Sequence, residues 1–375
     1  MRFFQTHRVR NPFMRGLALI FTLLVAAALL FSAYGGCIDP ARTCLGAIAA
    51  MVFPFVLIVS GILLLINLWL FRISAMVTFA SLLACAGPIL TFCPLNFFRP
   101  SVETIERDYR PYIKLMTYNM LNLDDFSNGS CRIGGGNPTL EYVLEQNPDI
   151  MVCQEGQPML KADKKNISAS QHALLESRYP YRYLNQRGMG ILSRYPFKVK
   201  PVEHPDRWSY DVALYEVELP ADTLHLFNVH LQSLGLTDGD KALYHDLTSG
   251  DPHADVTTYR STLLAKLTSA FRNRAEQARM IREYIDSLKG TVVVCGDFND
   301  IPGCYAVRTI EGKDLHDTYR EAGLGPDITY HADRFYFRID HILYRGRLEP
   351  LRMWAGKNPS SDHYAMISYF RLLPE

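Results

Sequence analysis

Thr291-Val292-Val293-Val294-Cys295-Gly296-Asp297-Phe298-Asn299 is the stretch on which the reading of this chain turns. A short apolar, β-branched run behind Gly290 predicts a buried strand, and it stops abruptly at an acid and an amide. Other strand-like runs stop the same way. One ends at Asn119, one at Val152-Cys153-Gln154-Glu155 and one at Phe227-Asn228-Val229-His230. Arg338-Ile339-Asp340-His341 and Ser360-Ser361-Asp362-His363 follow. In sheet-based enzymes strand ends share one rim, so such residues converge on a cleft.

Each residue alone has a plainer reading. Asn119 or Asn299 can cap a turn, and Asp297 or Asp362 can cap a helix. Glu155 can pair with a surface lysine, His230 can be a half-buried strand histidine, and Asp340 can be a turn acid beside Arg338. Recurrence at strand end after strand end favours one shared site over independent coincidences.

The surrounding pattern is alternating. Strands are expected near 113–119, 149–153, 188–192, 212–219, 223–229, 291–295, 339–344, 349–354 and 364–370. A helix is expected over 138–146, with Asn137 as cap and Pro138 at its first position, and a long polar helix over 261–288. This predicts a mixed sheet covered by helices. Residues 236–260 break the regularity as a polar, turn-rich surface segment, either substrate-facing or a decoration.

The residue types suit metal-assisted phosphoryl chemistry. Glu155 and Asp362 offer hard oxygen ligands of the kind magnesium takes, and such an ion neutralises phosphate charge. His363 with Asp340 behind it is a carboxylate–imidazole pair that fixes a tautomer and supports the charged ring. Asp297 can orient or deprotonate an attacking water, while Asn119, Asn299 and His230 can donate to phosphoryl oxygens. General-acid duty falls to His230 or His363. No glycine-rich phosphate loop followed by lysine and no G-x-S-x-G elbow is present, which disfavours P-loop ATPases and esterases of that type.

The strings MTYNM, DIMVCQE, GMGILSRYPF, FNVHLQS, CGDFND, FRIDHIL and SSDHYAM resemble, in order, the endonuclease/exonuclease/phosphatase (DNase I-like) family. The resemblance runs over about residues 112–371. It implies a four-layer α/β sandwich, two sheets face to face with helices outside, and metal-dependent hydrolysis of phosphate esters or anhydrides with Mg2+, or Mn2+ in its place. It also implies Glu155 as metal ligand with Asn119 and Asp362 in the same metal site, and Asn119, His230 and Asn299 at the phosphate. Asp297 and Asn299 become the water-activating and phosphate-stabilising pair, and Asp340 the partner of His363. Two positions depart from the pattern: Leu121 stands where some members carry an acid, and Ala365 where many carry proline.

The first hundred residues are of another kind. They hold seven basic residues and one acid, Asp39; subtraction from 39 basic and 38 acidic residues leaves 32 and 37 for the remainder, a net of −5. Bulk charge therefore does not mark the second part as a nucleic-acid module, although a local basic groove stays open. Three uncharged stretches, 16–34, 45–71 and 75–95, are each long enough to cross a bilayer. The expected organisation is an anchor over 1–96 with three transmembrane helices, a linker over 97–111 and a catalytic domain over 112–375. Arg2, Arg8, Arg10 and Arg15 precede the first stretch, so the N-terminus is expected in the cytoplasm and the catalytic domain outside it, periplasmic or extracellular. Cys37 and Cys44 share the outer loop, paired or free with equal ease.

Substrate is less constrained. Three spans with an outward domain resemble the membrane-anchored bacterial members of the family linked to glycopeptide resistance, which implies a lipid-linked phosphate or pyrophosphate, or a phospholipid, at the bilayer. The alternatives are a tethered nuclease acting on extracytoplasmic DNA through Arg187, Arg194, Arg207, Arg260, Arg272 and Arg274, and a non-catalytic membrane scaffold. No obligate protein partner is evident. An apolar, bilayer-facing cleft mouth favours the lipid; a basic, elongated one favours DNA.

Overall fold

The computed structural model describes residues 9 and 11–374, except 127–135, 158, 160–166, 204–210, 221, 236–238, 240–255 and 333–335, and leaves the side chains of 256–261 undescribed. Arg2, Arg8, Arg10, Arg207 and most of the 236–260 segment therefore lie outside the described residues.

The N-terminal part opens with α1 (Pro12–Tyr34), started by Asn11, whose side chain accepts from the Phe13 amide, and by Pro12 at its first position. Helix α2 (Leu45–Leu70) returns without a break at Pro54. These two are long and apolar enough to cross a membrane. The third expected span differs: it is divided between α3 (Arg72–Ala84) and α4 (Ala86–Phe92), bent by 63°. Pro88 has no amide hydrogen to give the Ala84 carbonyl, and the Tyr34 hydroxyl donates to that carbonyl instead, at 2.6 Å. Two helices, not three, are thus each long and apolar enough to cross a membrane; the bent pair has the form of a broken span or a re-entrant loop. Buried Asn67 ties the bundle, donating to the hydroxyls of Thr22 and Thr78 at 3.1 Å each.

The segment 97–111 is not simply a linker. Ser101 caps a short helix, α5 (Val102–Asp108), whose Ile105 is fully buried beside Leu351 and Tyr369. The rest is a sandwich of two six-stranded sheets. The first contains β1 (Tyr112–Asn119), β2 (Ile150–Gln154), β3 (Tyr181–Leu184), β4 (Gly190–Ser193), β11 (Leu348–Gly356) and β12 (Ala365–Leu372), in the order β11-β12-β1-β2-β4-β3. The second contains β5 (Phe197–Lys200), β6 (Asp211–Leu219), β7 (Asp222–His230), β8 (Thr291–Asp297), β9 (His316–Asp317) and β10 (Asp340–Arg345), in the order β5-β6-β7-β8-β10-β9.

Period-two alternation assigns each strand's side chains to two layers. From β1, Ile113 and Leu115 enter the inter-sheet core with Val152, Leu226, Val293 and Cys295. Met116 and Tyr118 point the other way, under α6 (Pro138–Gln146) and α7 (Ala169–Arg178). Val292 and Val294 of β8 face α8 (Val256–Ser287) and α9 (Tyr305–Glu311). Helix, sheet, sheet and helix give the expected four layers. A short helix, α10 (Thr318–Ala322), closes the edge near β9.

Each sheet has one central parallel pair, β1 with β2 and β7 with β8. Both pairs terminate at the same rim: Asn119 stands opposite Gln154, and His230 opposite Asp297. Antiparallel β10 begins where β8 ends, which puts Asp340 opposite Asp297. Buried amides lock the sheets beneath that rim. Gln154 donates to Asn228 across the sandwich at 2.6 Å, and Asn228 donates to the Cys153 carbonyl at 2.9 Å.

The N-terminal helices and the sandwich meet along two seams. In the α1–α2 loop, Arg279 pairs with Asp39 at 3.1 Å and Gly36 lies flat on Gly303, where any side chain would strike the Gly303 carbonyl. Cys37 and Cys44 are both free thiols there, Cys44 buried against α8. Beyond α4, Asn96 donates to the carbonyls of Arg320 and Gly323, and Arg338 donates to that of Thr91.

Candidate active site

Backbone strain helps to aim the first two groups. Glu155 and Asn299 both adopt left-handed conformations, φ 52° and 51°, that non-glycine residues occupy only when the fold holds them there. Glu155 turns off the end of β2 so that its carboxylate stays about one-third exposed in the cleft. Asn299 follows β8; its backbone amide donates to Asp297 Oδ1 at 2.9 Å, which fixes the carboxylate's rotation.

Asp297 is the hub. Its Oδ2 accepts from Asn119 Nδ2 at 3.1 Å and lies 3.6 Å from His230 Nε2 and 3.7 Å from His363 Nε2. Asn119 also donates to Glu155 Oε1 at 3.3 Å, so one amide bridges the ends of both sheets. His230 stands 3.9 Å from the same Glu155 oxygen. Behind the cleft, His363 Nδ1 donates to Asp340 Oδ2 at 2.9 Å, both groups buried. Burial alone would discharge this imidazole. The carboxylates of Asp340, Asp297 and Asp362 outweigh it and hold the ring's pKa up at about 10, so it is an imidazolium at neutral pH.

All eight residues singled out from the sequence thus meet. Asn119, Glu155, His230, Asp297, Asn299, Asp362 and His363 line one cavity, and Asp340 stands behind His363. The sequence reading missed several neighbours. Asn122, also left-handed, donates to Glu155 Oε2 at 3.5 Å, and the Tyr330 ring packs edge-on against His363 at 5.1 Å. Arg274 and Asp300, both buried, pair at 3.5 Å along the cavity wall. Burial raises the Asp300 carboxyl against the pull of Arg274. His341 is held neutral, its pKa pushed down to about 4 by burial and by the Arg338 charge, and its Nε2 donates to the Asp300 carbonyl at 2.8 Å.

The donor set fits a hard cation. The carboxylates of Glu155, Asp297 and Asp362 share the cavity, and one oxygen of buried Asp340 has no partner. Ligand atoms of Asp297, Asp340 and His363 also cluster within 4.8 Å. In that trio, however, the imidazole already gives its Nδ1 proton to Asp340, and its positive charge opposes a cation.

The cavity, about 330 Å³, has a second character at its other end. Leu263, Leu267 and Phe271 line it from α8, and Met51 lines it from α2. The α8 residues recur every four positions and so form one stripe. That spacing is visible in the sequence, but the helix around it reads as polar.

The sequence model described as the Endonuclease/Exonuclease/phosphatase family matches residues 116–363. The chain belongs to this family. Its members are metal-dependent hydrolases of phosphate ester bonds, which makes the chain a phosphoesterase in the broad sense. A second model, described only as a domain of unknown function, matches residues 15–92. No curated protein matches the chain. Among solved structures, an endonuclease/exonuclease/phosphatase from Beutenbergia cavernae is 17% identical over 70% of this chain and 72% of its own, with a TM-score of 0.45. The human Nocturnin catalytic domain is 16% identical over 70% and 95%, with a TM-score of 0.45. A humanized D. rerio TDP2 is 16% identical over 69% and 98%, with a TM-score of 0.42.

Proposed function

We propose that this member of the family is a membrane-anchored phosphoesterase whose substrate is a lipid-linked phosphate or pyrophosphate presented from the bilayer. One observation carries the reading: Met51, from a helix apolar enough to cross a membrane, forms a wall of the same cavity that holds Asp297 and His363. A cleft that runs from carboxylates to an anchor helix suits an amphiphile, with its phosphate at one end and its chain at the other. Three of the six arginines on which a nuclease could draw are engaged elsewhere. Arg194 pairs with Asp149, Arg274 with Asp300, and Arg272 donates to the Pro40 carbonyl.

Residue roles follow from the geometry. Glu155, with Asn119 and Asp362, would hold magnesium, and the bound ion would neutralise phosphate charge. Asp297 accepts the proton of the attacking water as the new P–O bond forms in line with the bond that breaks. Asn299 and Asn119 steady the phosphoryl oxygens. His363, backed by Asp340, contributes fixed positive charge. A ring that keeps its proton to about pH 10 is a poor proton donor at neutral pH, which leaves protonation of the departing oxygen to His230. The catalytic domain sits opposite the N-terminus across the bilayer. That reading rests on Arg15 in the first turn of α1 and on the two seams, at the α1–α2 loop and beyond α4, where the sandwich meets the anchor.

Full-length protein, with His363→Ala as control, is assayed for magnesium-dependent phosphate release from an isoprenyl pyrophosphate and for cleavage of single- and double-stranded DNA. Lipid turnover that vanishes in the variant is expected. DNA cleavage without lipid turnover would move the nuclease to first place.

A further inference from the structure

A second cavity, of about 380 Å³, lies back to back with the first. The partition is thin: Ala50 faces the second cavity and Met51 the first, and Ile301 faces the first while Pro302 and Gly303 face the second. Nothing in the phosphoesterase chemistry uses this space. It contains no carboxylate–histidine pair.

Its two halves differ in kind. The floor is anchor: Ala33 and Tyr34 of α1, Phe53 of α2, and Gly87 and Pro88 at the bend of α4. The roof is catalytic domain and carries Arg308 and Glu311 of α9 with Asp317 and Arg320 beyond. Asp317 is already neutralised by buried Arg338 at 3.4 Å. Neither Arg308 nor Arg320 has a salt-bridge partner among the described residues. That leaves two guanidiniums facing one carboxylate, a surplus of positive charge over an apolar floor at the level where the anchor leaves the bilayer.

We propose that this cavity is a binding site for the headgroup of an anionic phospholipid, distinct from the substrate. The phosphodiester would sit between Arg308 and Arg320, and its acyl chains would run down the exposed apolar faces of α1, α3 and α4, where Phe31, Leu83 and Leu90 stand open. Guanidinium forks match phosphate oxygens, and basic pockets at transmembrane helices recognise charged headgroups. A free anion would satisfy the roof and leave the floor without a partner; an amphiphile satisfies both. Because the cavities share the Ala50–Met51 turn and the 301–303 loop, a lipid held here would brace one wall of the catalytic cavity.

The test uses full-length protein in mild detergent, offered equal amounts of phosphatidylglycerol and phosphatidylcholine and examined by native mass spectrometry. At least fivefold preferential retention of one phosphatidylglycerol is expected, with a matching rise in Tm. The Arg308→Gln/Arg320→Gln double variant should lose that preference and keep its turnover of a water-soluble phosphodiester. Gly87→Leu attacks the site from the other side, since the space beside Gly87 is open and the new side chain would fill the floor without touching either arginine. It should lose the same lipid. Retention of phosphatidylglycerol by the double variant or by Gly87→Leu would overturn the proposal. So would a wild-type protein that does not discriminate between the lipids, or one that glycerol phosphate stabilises as well as phosphatidylglycerol does.

Discussion

The two ends of the catalytic cavity are built by different parts of the chain and in different ways. The polar end is made by backbone termination: β1, β2, β7 and β8 stop at one rim, and hydrogen bonds within 3.3 Å link Asn119, Glu155, Asp297 and the amide of Asn299. The apolar end is made by helix faces, one stripe of α8 and one methionine of α2. Precision belongs to the first, where an ångström matters to bond making. Under the proposed function, selection belongs to the second, where apolar area matters more than exact placement. On this account chemistry and substrate choice can be damaged separately.

Asp297→Asn should have the largest effect. It removes the proposed proton acceptor and the point on which Asn119, His230 and His363 converge, so turnover of every substrate should fall by about 10³-fold or more, read as kcat on a soluble ester and on a lipid substrate alike. A loss confined to one substrate would break the division of labour. Asn119→Ala comes next, at roughly 10²-fold in kcat, because it removes one preorganised donor and leaves the carboxylates in place.

Phe271→Asp attacks only the other end. It should lower kcat/KM for a long-chain substrate by about 10–100-fold and leave the soluble ester within about twofold, since the wall contributes apolar contact worth about 1–3 kcal/mol. Equal losses on both substrates would mean that the stripe supports the fold of the site.

The smallest effect is one of stability. The His363 pKa is raised from 6.5 to about 10 in the folded protein, so its contribution is complete below about pH 6.5 and is lost as pH rises through 10. In metal-free protein, the stability gap between wild type and His363→Asn, from urea unfolding, should shrink between pH 7 and pH 10. A gap that stays constant or widens would show that the ring is not held charged.

The polar end was legible from sequence because its chemistry demands particular residue types where strands stop, and GDFN or SDH has few other reasons to recur there. The apolar end was not. Leu263, Leu267 and Phe271 sit in a helix whose other faces are polar, and Met51 is one more apolar residue in an apolar span; only the packing of α2 against α8 gives either a role. The same holds for the bend after Ala84. Pro88 was visible, but the hydroxyl of Tyr34 that satisfies the freed carbonyl comes from a residue fifty positions earlier. Ile105 was hidden in a polar juncture because a single buried residue sets no period. Short edge strands such as β3, with alternate residues exposed, carry too little apolar sequence to stand out.

The most direct measurement of the proposed function uses Met51, the α2 residue in the wall of the cavity. Full-length wild type and Met51→Glu are compared in nanodiscs for magnesium-dependent hydrolysis of an isoprenyl pyrophosphate and of a water-soluble phosphate ester. A charge in that wall should lower kcat/KM for the lipid by at least tenfold and leave the soluble ester unchanged. Unchanged lipid turnover in a folded variant would contradict the account, because the anchor would then hold the enzyme at the membrane without shaping what it binds.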